Sequence, residues 1–466
     1  MTAPKSRLSF LPSPGSTTPY WLAETEQPLA KHRTTCDLPK EVDVLIIGSG
    51  YSGTSVAFNL LVEEQYEGSV LMLEARTTCS GATGRNGGHF RSYYNLRSHE
   101  FETKYGKETA ADLASFEHYE SNRIKKIVKK YGIDCDLKEK ESIQTLDHDA
   151  MTSKGLKDYY AFVSNPFIPA EVKKVVKVYW AEEAAQVSDH PGTEMAVVVP
   201  TLSLWPYKLI SGLLQKALDV GLNLQTYTPV TYVDPLDDGR TKVSTPRGEV
   251  IAKKVVFATN GYTKAILPEF TTKIVPVKGV VTHMKHIEGQ PKTLKNNYYL
   301  ANDYINVRDD GSVVVGGGHD TYSTLPLAEI MYNNTDDSEY PYATKDYFHN
   351  YLAKNFKDLK HKVFVNDYTW TGVMGYTSDE FPLVGELGIY GRPNNYIVGG
   401  FSGHGMPRIW SSGKYISDLI IDKPESDITH IPSTFKIDEN RMAESKFEFI
   451  EKLDAEDKQN PRAFKL

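Results

Sequence analysis

The chain has 466 residues, with 53 Lys and Arg against 60 Asp and Glu for a net charge of −7, and three cysteines. Its length calls for two or three domains, and its mild acidity excludes a phosphate-backbone partner. Cys36, Cys79 and Cys135 form no C-x-x-C pair, no signal-like segment opens the chain, and no apolar run reaches the roughly 20 residues that cross a bilayer. A disulfide framework, a membrane partner and a nucleic-acid partner are therefore not expected, and a reducing, cytoplasmic compartment is.

Residues 1–40 carry six prolines among Ser and Thr and read as an irregular arm whose Tyr20-Trp21-Leu22 patch docks on the body. Val42 to Ile47 is apolar and β-branched, the pattern of a strand buried on both faces. Gly48, Ser49, Gly50, Tyr51, Ser52 and Gly53 then spell G-x-G-x-x-G, and a helix is expected from Thr54 to Leu61. Gly48 allows the tight turn, Gly50 lets a pyrophosphate approach the backbone, and Gly53 lets helix and strand pack closely. The helix N-terminus offers N–H groups and a positive dipole end to phosphates. Val70 to Leu73 reads as the next parallel strand, ending in Glu74, which would accept hydrogen bonds from a ribose. Strand, glycines, helix, strand and acid in this order predict a bound dinucleotide.

Thr78 to Phe90 reads TCSGATGRNGGHF. A nicotinamide enzyme has no use for this second glycine loop, whereas the long FAD molecule needs backbone close to its ring edge. Gly81, Gly84, Gly87 and Gly88 allow that approach, and Arg85 could neutralise pyrophosphate or polarise the ring. A helical stretch follows from about Arg97 to Tyr131; its Arg123–Lys130 cluster reads as a solvated face over a buried stripe. Ile133 to Thr145 alternates as a strand, Leu204 to Val220 as a helix, and Leu222–Tyr227 and Val230–Pro235 as short strands. Gly248 to Asn260 resembles a hairpin arm feeding a buried strand at Val255–Ala258. Strands dominate from Ile274 to Gly317, and an acidic, Tyr-rich loop covers Asp336 to Tyr347. Near the end, Tyr396 to Met406 precedes a helix from Arg408 to Ile421, and the charged tail has a helical run from Glu439 to Leu453. Gly400 to Met406 sets a turn at a helix start, whose N–H groups can stabilise negative charge on a reduced flavin.

Nucleotide-type signals at the start, middle and end imply an α/β, Rossmann-like FAD domain built from discontinuous segments, beside a substrate domain with a large antiparallel sheet. The expected division is an arm (1–40), FAD segments (41–132, 191–265 and 366–425), substrate segments (133–190 and 266–365) and a tail (426–466).

Several pieces together resemble the D-amino-acid-oxidase-type family of FAD-dependent oxidoreductases, in the branch that includes γ-glutamylputrescine oxidoreductases. They are Tyr20-Trp21, GSGYSG with Glu74-Ala75-Arg76, SGATGRNGGH at 80–89, ATNGYT at 258–263 and PVKG at 276–279. GGG at 316–318, W-T-G with FPLVG at 370–385, and GGFSGHGM at 399–406 complete the set. The resemblance covers about residues 19–421 and implies oxidation of a C–N bond in an amine or amino acid. It places Gly48, Gly50, Tyr51, Ser52 and Gly53 at the pyrophosphate, Glu74 and Ala75 at the ribose, Arg76 at the adenine side, and the Val230 backbone at the adenine. Ser80, Gly81, Ala82, Thr83, Arg85, Asn86, Gly87, Gly88 and His89 would run past the flavin. Asn260, Gly261 and Gly375 join the cofactor set, and Phe401, Ser402, Gly403, His404, Gly405 and Met406 would close over the pyrimidine edge. Relatives that link flavin through a late cysteine find none here after Cys135, so the FAD is expected to be non-covalent, with a histidyl link at His89 a minority alternative.

Amine oxidation needs no protein nucleophile, and no metal is expected: His283 and His286 would lie on opposite faces of a strand. His404 is the first candidate for tuning the flavin. Trp370 and Tyr376 are pocket walls or core. Tyr304 and Arg308 would lie on the substrate sheet, where Arg308 could bind a carboxylate or be a surface residue. Lys278 is a further candidate cation. Asp379, Glu380 and the Asp336 loop could favour a cationic substrate or be solvated charge. Oxygen is the expected acceptor, giving H2O2. A same-fold dehydrogenase with another acceptor and a non-catalytic flavin-binding protein are the alternatives. The closing Phe464-Lys465-Leu466 is a loose form of the S-K-L peroxisomal address.

Overall fold

The structure is a computed structural model that describes residues 7–93, 96–286, 294–323, 327–360 and 364–444. The C-terminal tripeptide and the later part of the expected tail helix lie outside the described residues. In chain order the strands are β1 (Glu41–Ile47), β2 (Val70–Leu73), β3 (His89–Arg91), β4 (Lys138–Leu146), β5 (Lys177–Trp180), β6 (Met195–Ser203), β7 (Asn223–Gln225), β8 (Tyr232–Pro235) and β9 (Thr241–Thr245). They continue as β10 (Gly248–Phe257), β11 (Val275–Lys285), β12 (Asn297–Leu300), β13 (Asp303–Val307), β14 (Val313–Gly317), β15 (Val365–Tyr376), β16 (Leu383–Leu387) and β17 (Arg392–Gly399). The helices that position the site are α1 (Tyr20–Ala23), α2 (Tyr51–Phe58), α3 (Ser98–Tyr105), α4 (Lys107–Tyr131), α5 (Pro206–Asp219), α6 (Tyr342–Phe348) and α7 (Ile409–Ile420).

The first sheet runs β16-β17-β10-β1-β2-β7, with β17, β10, β1, β2 and β7 mutually parallel and β9 and β8 added antiparallel at β10. Its centre is buried on both faces. Val44 and Ile46 of β1 join the core beneath α2, α4, α5 and α7, while Leu45 and Ile47 join the core on the opposite face. The second sheet runs β15-β11-β14-β13-β12-β4-β6-β3, antiparallel except for the β12–β4 pair. Two sheets of this kind are the α/β architecture expected from the sequence.

The local differences have physical causes. Gly50 is extended and caps α2, so the helix begins at Tyr51 rather than Thr54. β10 is one unbroken strand, because its outer half pairs with β9 while its length pairs in parallel with β1. The acidic stretch expected as a loop carries α6. Three pieces grouped with the FAD segments, β3, β6 and β15, add to the second sheet instead. The arm docks as expected: Trp21 is fully buried, its indole N–H donates to the Asn86 carbonyl at 2.6 Å, and Trp205 donates to the Trp21 carbonyl at 2.8 Å. Among the described residues, no helix is long and apolar enough to cross a membrane.

Candidate active site

The C-terminal ends of β1, β2 and β10 meet at Gly48, Glu74 and Ala258, where ligands of open parallel sheets bind. Gly48 has φ +109°, and a Cβ there would lie 2.7 Å from the Ala258 carbonyl oxygen. A Cβ on Gly53 would overlap the Gly48 carbonyl, so this third glycine serves the close packing of α2 on β1. The Glu74 carboxylate accepts from the Ser49 N–H and hydroxyl at 2.9 and 2.6 Å and from the Arg76 N–H at 2.9 Å. It thereby ties the glycine turn to its own strand end. Thr83 Oγ1 accepts from the Tyr51 N–H at 3.0 Å, which brings the second glycine loop against the N-terminus of α2.

From this point a cavity of about 420 Å³ runs to the second sheet. Its end at the first sheet is lined by Gly48, Gly50, Tyr51, Ser52, Glu74, Ala75, Arg76, Val230 and Asn260. Ser80, Gly81, Ala82, Thr83, Arg85, Asn86, Gly87 and His89 continue the wall, faced by Phe401, Ser402, Gly403, His404, Gly405 and Met406. The far end is closed by Arg91, Tyr93, Tyr299, Asn302, Tyr304, His319, Tyr322, Met374 and Tyr376. A Cβ on Gly81 would enter open space, and Ser80 Oγ and His89 Nδ1 are buried without a hydrogen-bond partner among the described residues. Close backbone approach at Gly48, room at Gly81 and unmet polar atoms along the wall fit an elongated, polar-edged cofactor such as FAD.

Gly53 and four further expected site residues lie behind the wall rather than on it. Gly261 and Gly375 pack against each other, since a Cβ on Gly375 would lie 2.9 Å from the Gly261 nitrogen. Gly88 admits the Trp21 ring, which a side chain there would overlap. Trp370 is fully buried and donates to the Arg85 carbonyl at 2.8 Å, a structural role. Arg85 does border the cavity, but its guanidinium is taken up by the carbonyls of Ser80, Thr17 and Thr371 at 2.7 to 2.9 Å. Arg76 is held bidentately by the buried Asp337 at 2.8 and 3.0 Å.

Arg308 is a correction. It lies outside the cavity, over the rings of Trp21 and Trp205 at 5.2 and 5.3 Å and 3.4 Å from Asp136. Lys278 is likewise buried away from it, donating to the Asp336 carbonyl at 2.7 Å. None of the acidic candidates lines the cavity: Asp336 is exposed to solvent, and Asp379 and Glu380 are ion-paired. Asp379 holds Arg441 at 2.6 and 3.0 Å, and Glu380 pairs with Arg97.

His404 sits in a buried network that sequence reasoning missed. Its Nε2 is 3.1 Å from Glu117 of α4, whose carboxylate also accepts from Arg408 Nε at 2.8 Å and from the Tyr93 N–H at 2.7 Å. The Tyr93 ring stacks on the imidazole at 3.6 Å. Burial pushes the Glu117 carboxyl up, but His404, Arg408 and the Tyr93 N–H outweigh it and hold the carboxyl at about 2. An ionised carboxylate only accepts, so Nε2 carries the proton and Nδ1 is the acceptor. Burial, against the pull of Glu117 and with help from the positive charges of Arg408 and Arg91, lowers His404 to about 4 and keeps it neutral. Burial likewise lowers His89 to about 3. The missed residues had weak signals: Arg91 follows His89 by two in a strand, which puts both on one face. Nothing local marks Glu117.

A match to the family of FAD dependent oxidoreductases, the DAO family, spans residues 43–419. The chain belongs to this family of flavoproteins. It is 28% identical over 399 residues to the gamma-glutamylputrescine oxidoreductase of Escherichia coli (strain K12), covering 81% of this chain and 83% of that protein. Its fold is similar to that of glycine oxidase from Geobacillus kaustophilus, with a TM-score of 0.68 and 18% identity over 86% of this chain and 99% of that one. L-proline dehydrogenase from P. horikoshii is similar at a TM-score of 0.65 and 20% identity, over 84% and 96% of the two chains.

Proposed function

We propose that this flavoprotein oxidises a C–N bond of an amine or amino acid, with FAD held non-covalently and oxygen as the acceptor. The observation that carries the reading is a continuous cavity that joins the glycine turn of the first sheet to an aromatic wall of the second. FAD bound there supplies the acceptor for a hydride from the carbon next to nitrogen. The substrate loses that hydride and a nitrogen proton, leaving an imine that water converts to an aldehyde or keto acid. Oxygen takes up the two electrons with two protons as H2O2.

The chain's own residues orient and desolvate. Tyr304 and Tyr376 close the far wall, and His404, its ring fixed by Glu117, lines the same cavity as a neutral imidazole. None of Cys36, Cys79 and Cys135 lines the cavity, which supports a non-covalent cofactor. Acid precipitation should leave all the yellow colour in solution; colour in the pellet would place a link at His89. The functional test is anaerobic mixing with a panel of amines and amino acids while following flavin absorbance. Bleaching by one class is expected, with peroxide formed in step once air is admitted. No bleaching by any member, with dithionite still reducing the flavin, overturns the reading.

A further inference from the structure

The arm does more than seat Trp21. Before it reaches α1, its residues Leu11 and Pro12 line the cavity. They do so at the first-sheet end, because Phe10 and Leu11 pack on the core cluster that holds Val230, Ala265 and Ile266. The Lys264 ammonium sits 3.9 Å from the Phe10 ring centre, and the Arg7 guanidinium lies over the Tyr232 ring at 4.8 Å. On its other side the arm is clasped by Asp337, which precedes α6. The buried Asp337 carboxylate accepts from Ser13 Oγ at 3.1 Å as well as from Arg76. The Asp337 carbonyl accepts from the Thr17 N–H at 2.8 Å, and Arg85 donates to the Thr17 carbonyl at 2.9 Å. The chain between these two fastenings crosses one end of the cavity. Tyr262 lines that end too, close enough to Arg76 and Asp337 to feel both charges. Its buried hydroxyl has no hydrogen-bond partner among the described residues, the mark of a polar group that a ligand meets.

We propose that residues 11–17 are a strap over the adenosine half of FAD, with Leu11 and Pro12 as its outer wall and Asp337 as the clasp. The proposal rests on the reading of a non-covalent FAD in this cavity and adds a part of the chain outside the glycine motifs. In a dinucleotide-binding fold the acid that ends the second strand faces the adenosine ribose. That acid is Glu74, and Arg76, two residues on, holds the clasp, so the strap closes the adenosine end. An adenine ring has apolar faces, which a leucine and a proline can cover. Pro12 also fixes the backbone of the crossing chain and brings no N–H that would need a partner there. Because the wall is in place only when Ser13 and Thr17 are docked, strap closure and FAD binding must strengthen each other.

The test compares the flavin-free full chain with its Leu11→Ala variant. FAD binding is titrated by the quenching of FAD fluorescence, and chymotryptic cleavage after Phe10 is followed by mass. Leu11→Ala is expected to bind FAD roughly tenfold more weakly, the worth of a partly covered leucine side chain, while the flavin-free protein melts at an unchanged temperature. Saturating FAD should slow cleavage after Phe10 roughly tenfold or more in the unaltered chain, since the strap must open for the protease. Ser13→Ala, which loosens the clasp and leaves the wall intact, should restore part of that cleavage. An unchanged FAD affinity in Leu11→Ala overturns the proposal, and so does cleavage that FAD does not slow. A variant whose flavin-free form melts lower in step with its weaker binding makes Leu11 a core residue and overturns it as well. Flavin that stays on the protein in acid removes the non-covalent reading instead. Cleavage after Phe10 that is slow in that yellow protein and fast in chain made without flavin then still supports the strap.

Discussion

The end of the cavity at the first sheet is built largely from backbone, and the end at the second sheet from side chains. At the first, Gly48, Gly50 and the start of α2 present main-chain groups in an order set by consecutive residues. At the second, Arg91 comes from β3, Tyr299 and Tyr304 from β12 and β13, Tyr376 from β15, and His404 from the turn before α7. Backbone geometry survives most substitutions except at the glycines, so one end tolerates drift and serves a constant ligand. The other end can be rebuilt residue by residue, which is where relatives on one fold would diverge in substrate.

Substitutions can break this contrast, and the largest effect should fall on the backbone end. Gly48→Val places a β-branched side chain at φ +109° and against the Ala258 carbonyl. Strain of about 1–3 kcal/mol, added to the blocked approach, should lower retained flavin roughly tenfold or more. Flavin absorbance per protein after gel filtration measures it, and a fully yellow variant would refute the backbone account.

Glu117→Gln tests whether the side-chain end depends on one buried anion. Arg408 loses its buried counter-charge, and the amide must turn an NH2 donor either to the Tyr93 N–H or to Arg408 and His404, which should cost roughly 3 kcal/mol of stability. Thermal unfolding reads that loss, and the rate of anaerobic flavin reduction should fall with it. An unchanged melting point together with an unchanged rate would remove Glu117 from the site.

Acid sharpens the same point. His404 is lowered from 6.5 to about 4 and Glu117 from 4.5 to about 2, so both bind protons more readily once unfolded. The stability they confer is complete above pH 6.5. It is lost as pH falls, from His404 between 6.5 and 4 and from Glu117 between 4.5 and 2. Melting temperature should therefore drop as pH is lowered through the first window, and His404→Asn should flatten part of that slope. An identical slope in the variant would mean that His404 is not held neutral.

The smallest effect belongs to Arg308→Ala. With the guanidinium outside the cavity, stacked on Trp21 and Trp205, flavin reduction should change less than about twofold while stability falls by about 1 kcal/mol. A large loss of rate would return Arg308 to the site and blur the division between the two ends.

The legibility of the sequence follows the same division. Glycines in a strand-turn-helix carry their meaning locally, because each answers a constraint on φ or on close approach within the same few residues. That made the FAD domain, its discontinuous assembly, the two glycine loops and the GGFSGHGM turn readable along the chain. For Arg308, Lys278, Asp379 and Glu380 the sequence left two readings open, because a charged residue's partner lies far off in sequence: Asp136, the Asp336 carbonyl, Arg441 and Arg97. The same distance hid Glu117, on α4, from His404 in the turn before α7.

The sequence by itself determined the cofactor-binding fold and the order of its parts, because backbone conformation and strand burial are properties of short stretches of chain. Only the tertiary structure decided which arginine lines the cavity. Side-chain direction alternates along a strand, and its consequence depends on which sheet edge, helix or turn the rest of the chain brings opposite. Arg91 and Arg308 both sit at strand ends of the second sheet, yet one lines the cavity and the other stacks on tryptophans outside it.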